Sequence, residues 1–90
     1  MNTINFNTLQ KKVLYKSKYR GTKEGDRLIG GFVNKNLNKF DEYYILKLLD
    51  FLELNDQDIL NMAEGNKPIN QDYQHILDDI IEYKKELLWK

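Results

Sequence analysis

Ninety residues, 41% of them hydrophobic, carry 14 Lys and Arg, 14 Asp and Glu and no cysteine, which makes one small domain (1–90) near the lower limit of what a single core stabilises. That size leaves little room for a large catalytic cleft, and the missing thiols exclude disulfide frameworks, thiolate nucleophiles and cysteine-based zinc sites while suiting a reducing compartment. No apolar run is long enough to span a bilayer, and the first residues lack both a signal-peptide core and an Arg-rich transit character, so the expectation is a soluble, unprocessed cytoplasmic protein.

Leu9 and Val13 recur at helical spacing among Lys11, Lys12, Lys16 and Lys18, which predicts a short amphipathic helix from Asn7 to about Lys18, ending near Gly21. A second helix is expected from Thr22 or Lys23, with Glu24 and Asp26 in its first turn and Leu28, Ile29, Phe32, Val33 and Leu37 on one side. Gly30-Gly31 interrupts it, at about 1 kcal/mol per glycine relative to Ala, and close packing of another helix on the bare backbone is the expected compensation. Asp41 to Leu54 is apolar almost all round and reads as a helix enclosed by the others. Asn55 or Asp56 is suited to cap a fourth helix running to Glu64, stopped by Gly65 and Pro68, and Asn70 or Asp72 to cap a last one extending toward Trp89. With no period-two segment and no hairpin dipeptide, the fold class is all-α, a single small bundle of about five short helices.

Charge is unevenly placed. Residues 1–27 hold seven Lys or Arg against Glu24 and Asp26, whereas twelve Asp or Glu face five Lys from Asp41 onward. Such a dipolar surface orients a charged partner. A small basic-faced nucleic-acid-binding or regulatory helical module is the alternative reading, because the basic residues interleave with Tyr15 and Tyr19, but the acidic second half and a sequence pI near 6.6 argue against nucleic acid. His75 with Asp79 offers only two metal ligands, Ser17 is the only serine, and neither a dinucleotide-binding turn nor a P-loop is present. The residues support neither an enzyme nor a bound cofactor or metal.

The segment Tyr15-Lys16-Ser17-Lys18-Tyr19-Arg20-Gly21-Thr22-Lys23-Glu24-Gly25-Asp26 carries a Gly beside a cation and a carboxylate four residues beyond it, a compact contact patch. It resembles the Arg-Gly-x-x-Glu signature of the SdhE-like succinate dehydrogenase assembly factors. The likeness extends from Lys11 to Pro68, through Leu28-Ile29-Gly30, Phe32 and the acidic element Leu52-Glu53-Leu54-Asn55-Asp56-Gln57-Asp58. Gly31 stands where a basic residue is common in that family, and the stretch after Pro68 carries none of its motifs. The resemblance implies a non-catalytic factor that binds the flavoprotein subunit of succinate dehydrogenase and promotes covalent FAD attachment, with the related fumarate reductase left open as a second client. The FAD then belongs to the client, and the free factor is expected to be a monomer without membrane insertion. Arg20, Gly21 and Glu24 are the implied partner contacts, followed by Tyr15, Lys16 and Asp26. On this reading Arg20 donates to acidic or carbonyl groups of the client from an exposed position.

Overall fold

Leu9 and Val13 stand one helical turn apart and both are buried, with Ser17 a further turn on, so α1 (Phe6–Lys18) turns one stripe inward and leaves Lys11, Lys12 and Lys18 exposed. The computed structural model of the chain describes residues 5–18 and 20–88.

Thr22 opens the second helix, its Oγ1 accepting the Gly25 N–H at 2.9 Å. Lys23–Gly25, Asp26–Gly30 and Gly31–Asn36 then run on as one rod, α2, whose middle five residues are wound as a π-helix. The π turn widens the rod and changes its register, so Leu28, Ile29 and Gly30 are buried in succession, with Phe32 and Val33 immediately after. The two glycines are there for close approach. A Cβ on Gly30 would stand 3.1 Å from the Ser17 carbonyl oxygen of α1, and one on Gly31 would overlap the Tyr83 hydroxyl. Gly30→Ala should therefore destabilise despite its better helix propensity. The obstructing oxygen belongs to helical backbone that cannot swing aside, and overpacking of about 1–3 kcal/mol exceeds a propensity gain of about 1. A thermal melt should show a Tm lower by roughly 4–8 °C for each kcal/mol lost.

A 3-10 turn at Leu37–Lys39 leads to α3 (Glu42–Phe51), capped by Asp41, whose Oδ1 accepts the Tyr44 N–H at 2.8 Å. Here the expectation of an enclosed helix is corrected. Ile45, Leu48 and Phe51 are buried, but Tyr43 is 71% and Leu46 48% exposed. α1 and the turn before the last helix pack on α3 from one side and leave the opposite stripe uncovered.

Asn55 caps α4 (Asp56–Ala63) by accepting the Asp58 N–H at 2.8 Å, and Gly65, at φ +81°, lets the chain leave that helix. Asn70 caps a 3-10 turn at Gln71–Tyr73 that feeds α5 (Gln74–Leu88), where Ile76, Leu77 and Ile80 face the core. Trp89 and Tyr19 lie outside the described residues. Among the described residues there is no strand, and the architecture is the small all-α bundle the periodicity predicts. No helix of those residues is long and apolar enough to cross a membrane.

Tyr44 ties α3 to α5. It stacks on Phe40 with ring centroids 4.5 Å apart and donates its hydroxyl to Asp79 Oδ2 at 2.7 Å. Burial first, then the hydrogen bond to Asp79 and that carboxylate's charge, push the phenol far above its ordinary value of 10.0. The folded chain thus holds this proton more tightly than the unfolded chain. The resulting stabilisation is complete below pH 10.0 and is lost as pH rises above it. Urea midpoints taken between about pH 8 and about pH 11 should fall more steeply for the native chain than for Tyr44→Phe.

Candidate partner-binding site around Arg20 and Gly21

Arg20 leaves the end of α1 and sends its side chain inward, where only 8% of it remains exposed. Nε donates to Asp56 Oδ1 at 2.7 Å, one terminal nitrogen to the Leu52 carbonyl at 2.7 Å and to the Lys16 carbonyl at 3.4 Å, and the other to the Leu54 carbonyl at 2.7 Å. The planar fork of a guanidinium suits this arrangement, since it meets a carboxylate and two or more carbonyls at once in a way a lysine ammonium does not. Asp56, itself 7% exposed, uses its second oxygen to accept the Thr22 hydroxyl at 2.9 Å. Asp26 Oδ1 accepts the Arg20 N–H at 2.8 Å. The α1–α2 turn and the α3–α4 turn are therefore bolted to each other by one buried ion pair with its hydrogen bonds satisfied.

Gly21 sits on the outside of this bolt. Its φ of +93° is accessible to glycine and strained for other residues, it is exposed, and nothing lies within 4 Å of where a Cβ would point. Glu24, in the first turn of α2, is exposed and makes no hydrogen bond or ion pair among the described residues. Of the sequence-predicted contacts, then, Gly21 and Glu24 face solvent together. Tyr15 is 67% exposed, Lys16 is half-buried and pairs with Glu53, and Asp26 is exposed but committed to the Arg20 amide. The expected exposed guanidinium at Arg20 is corrected: its donors are taken up inside the chain, by Asp56 and not by Glu24. An internal carboxylate and the free carbonyls at the end of α3 satisfy it better than water-screened contacts would.

Asp56, Thr22 and Gly25 are the members of this site that residue-by-residue reading passed over. Asp56 lay within the acidic element quoted above, 36 residues from Arg20, and nothing local to either residue pairs them. Gly25 is buried against this pair, where a Cβ would overlap Asp56 Oδ2 and stand 2.6 Å from Thr22 Oγ1. Gly25→Ala should consequently displace the carboxylate from Arg20 and cost about 2–3 kcal/mol, read as a lower urea midpoint with an unchanged m-value.

With the geometry in view, comparison with known proteins is informative. The family described as flavinator of succinate dehydrogenase matches residues 11–84. Over 66 residues the chain is 33% identical to succinate dehydrogenase assembly factor 2, mitochondrial, of Dictyostelium discoideum, an alignment covering 73% of this chain and 47% of that relative. The chain thus spans about half the length of the curated relative it matches. No solved structure matches it. Residues 11–84 contain the whole bolt, the exposed Gly21 and Glu24, and both turns they hold together, and on this match the chain belongs to the family of flavinators of succinate dehydrogenase.

Proposed function

We propose that this chain is a non-catalytic assembly factor that docks on the flavoprotein subunit of succinate dehydrogenase through the Gly21–Glu24 turn and promotes covalent attachment of FAD to that subunit. The observation that carries this reading is the pre-formed bare turn: main chain at Gly21 is open to an approaching surface, while Arg20 and Thr22 on either side are tied to Asp56. A rigid, exposed stretch of backbone loses little conformational freedom on binding, which is what a docking element requires. Glu24 stands beside it to receive a cation or an N–H of the client. Arg20 serves indirectly, by holding the turn.

The chemistry belongs to the client, which supplies both the flavin and the residue that becomes linked to it. A factor that binds the reactive arrangement of the client better than its other conformations shifts the population toward it, by no more than its differential affinity for the two. The test is to follow covalent flavin fluorescence on the purified flavoprotein subunit in a denaturing gel, with and without this chain. The native chain should accelerate the appearance of protein-bound flavin; no acceleration at any concentration would remove the proposal. The nucleic-acid reading is less well supported, since two of the seven cations of the basic segment, Lys16 and Arg20, are engaged by Glu53 and Asp56.

A further inference from the structure

We propose that the groove beside Glu24 is an anchor pocket for one apolar side chain of the flavoprotein subunit, presented next to a carboxylate; this deepens the docking reading above and rests on it. Leu28, Leu60 and Leu87, from α2, α4 and α5, line a cleft of about 150 Å³, and Glu24, Arg27 and Lys84 stand around it. The volume decides between classes of occupant. Pockets for cofactors and drug-sized ligands run from about 300 to 1,000 Å³, so this cleft is too small for a nucleotide and fits a single Leu- or Met-sized side chain. Leu60 and Leu87 pack against the core yet are only partly buried by the chain itself, so apolar wall remains for a visitor to cover.

The charged groups select the visitor's neighbour. Glu24, Arg27 and Lys84 make no hydrogen bond or ion pair among the described residues, whereas Lys16, Lys35 and Lys67 elsewhere are paired with Glu53, Glu86 and Asp58. Two cations against one carboxylate favour an acidic group on the incoming segment, directed at Arg27 and Lys84. A small apolar recess with a charged rim is the arrangement in which one inserted side chain carries much of an interface's affinity. Glu24 belongs both to this rim and to the exposed turn at Gly21, so the two make one continuous face.

The test measures affinity for the purified flavoprotein subunit loaded with FAD by titration calorimetry, with circular dichroism to confirm folding. Arg27→Glu/Lys84→Glu should weaken binding by roughly 30-fold or more and Leu87→Ala by about tenfold. The control Lys11→Glu/Lys12→Glu, on exposed residues of α1, should change it by less than about threefold. Native-like affinity in both groove variants, with Gly21→Arg inactive, would overturn the anchor pocket and leave the docking turn standing. No binding by the native chain would overturn both. A stable dimer in sedimentation that Arg27→Glu/Lys84→Glu dissociates would assign the groove to a second copy of the chain and overturn its role as a client anchor.

Discussion

Asp56→Ala should strip the domain of roughly a quarter or more of its stability. The substitution leaves the Arg20 guanidinium buried without its carboxylate, and removing one partner of a buried pair costs about 3–5 kcal/mol. A chain of this length has roughly 0.05–0.15 kcal/mol of stability per residue, on the order of 5–13 kcal/mol in total. Three further groups amplify the loss. The Thr22 hydroxyl loses its acceptor, and the Leu52 and Leu54 carbonyls keep a donor that the removed charge no longer holds in place. Urea unfolding followed by circular dichroism should show the midpoint falling steeply. Arg20→Lys should fall nearly as far, because one ammonium cannot replace donors aimed at a carboxylate and two carbonyls. The double variant Arg20→Met/Asp56→Leu should not recover the loss, unlike isolated buried pairs replaced by apolar side chains, because the Leu52 and Leu54 carbonyls would remain buried without a donor. If Asp56→Ala costs less than about 1 kcal/mol, the pair behaves as a screened surface ion pair and the bolt is not what holds the two turns.

Gly21→Arg, one residue from Arg20, should have the opposite profile: a folded protein that no longer captures the flavoprotein subunit. The φ of +93° imposes a backbone cost of about 1–2 kcal/mol on a side-chain-bearing residue, but nothing lies within 4 Å of the new Cβ, so no packing is lost. Helical circular dichroism should be nearly native and the melt roughly 4–16 °C lower. Co-purification with the flavoprotein subunit should be lost, together with acceleration of covalent flavin attachment, because a long cationic side chain would stand where the proposed docking brings the client's surface. Gly21→Asn separates strain from obstruction, since Asn tolerates positive φ better than most residues and is short. It should retain most of the capture. Undiminished capture by Gly21→Arg would remove the docking role from this turn, whatever the family's activity.

Together these substitutions assign different work to adjacent signature positions. The cation is scaffold, the glycine is surface, and the carboxylate at Glu24 belongs to the surface as well. A signature read as three contacts is, in the folded chain, one internal fastening and two exposed groups. Tyr43 and Leu46, the exposed stripe of α3, and the partly buried walls at Leu60 and Leu87 add apolar surface that the bundle does not cover with its own elements.

Local chemistry was enough to place the helices. Thr22, Asp41, Asn55 and Asn70 each cap through a side-chain oxygen and an N–H two or three residues on, so their effect is written in neighbouring letters. The same holds for Gly65 at its positive φ and for the periodic apolar stripes of α1 and α5, and the run of signature residues was equally readable because it is contiguous. What could not be read depends on contacts distant along the chain. The partner of Arg20 lies 36 residues away, beyond any periodicity, and only the packed α3–α4 turn brings that carboxylate to the guanidinium. The π segment of α2 lets α1 and Tyr83 press on Gly30 and Gly31, an arrangement that exists only once those elements have docked. Exposure along α3 likewise follows from which neighbours cover it, a matter of three-dimensional arrangement that hydrophobicity in one dimension does not encode.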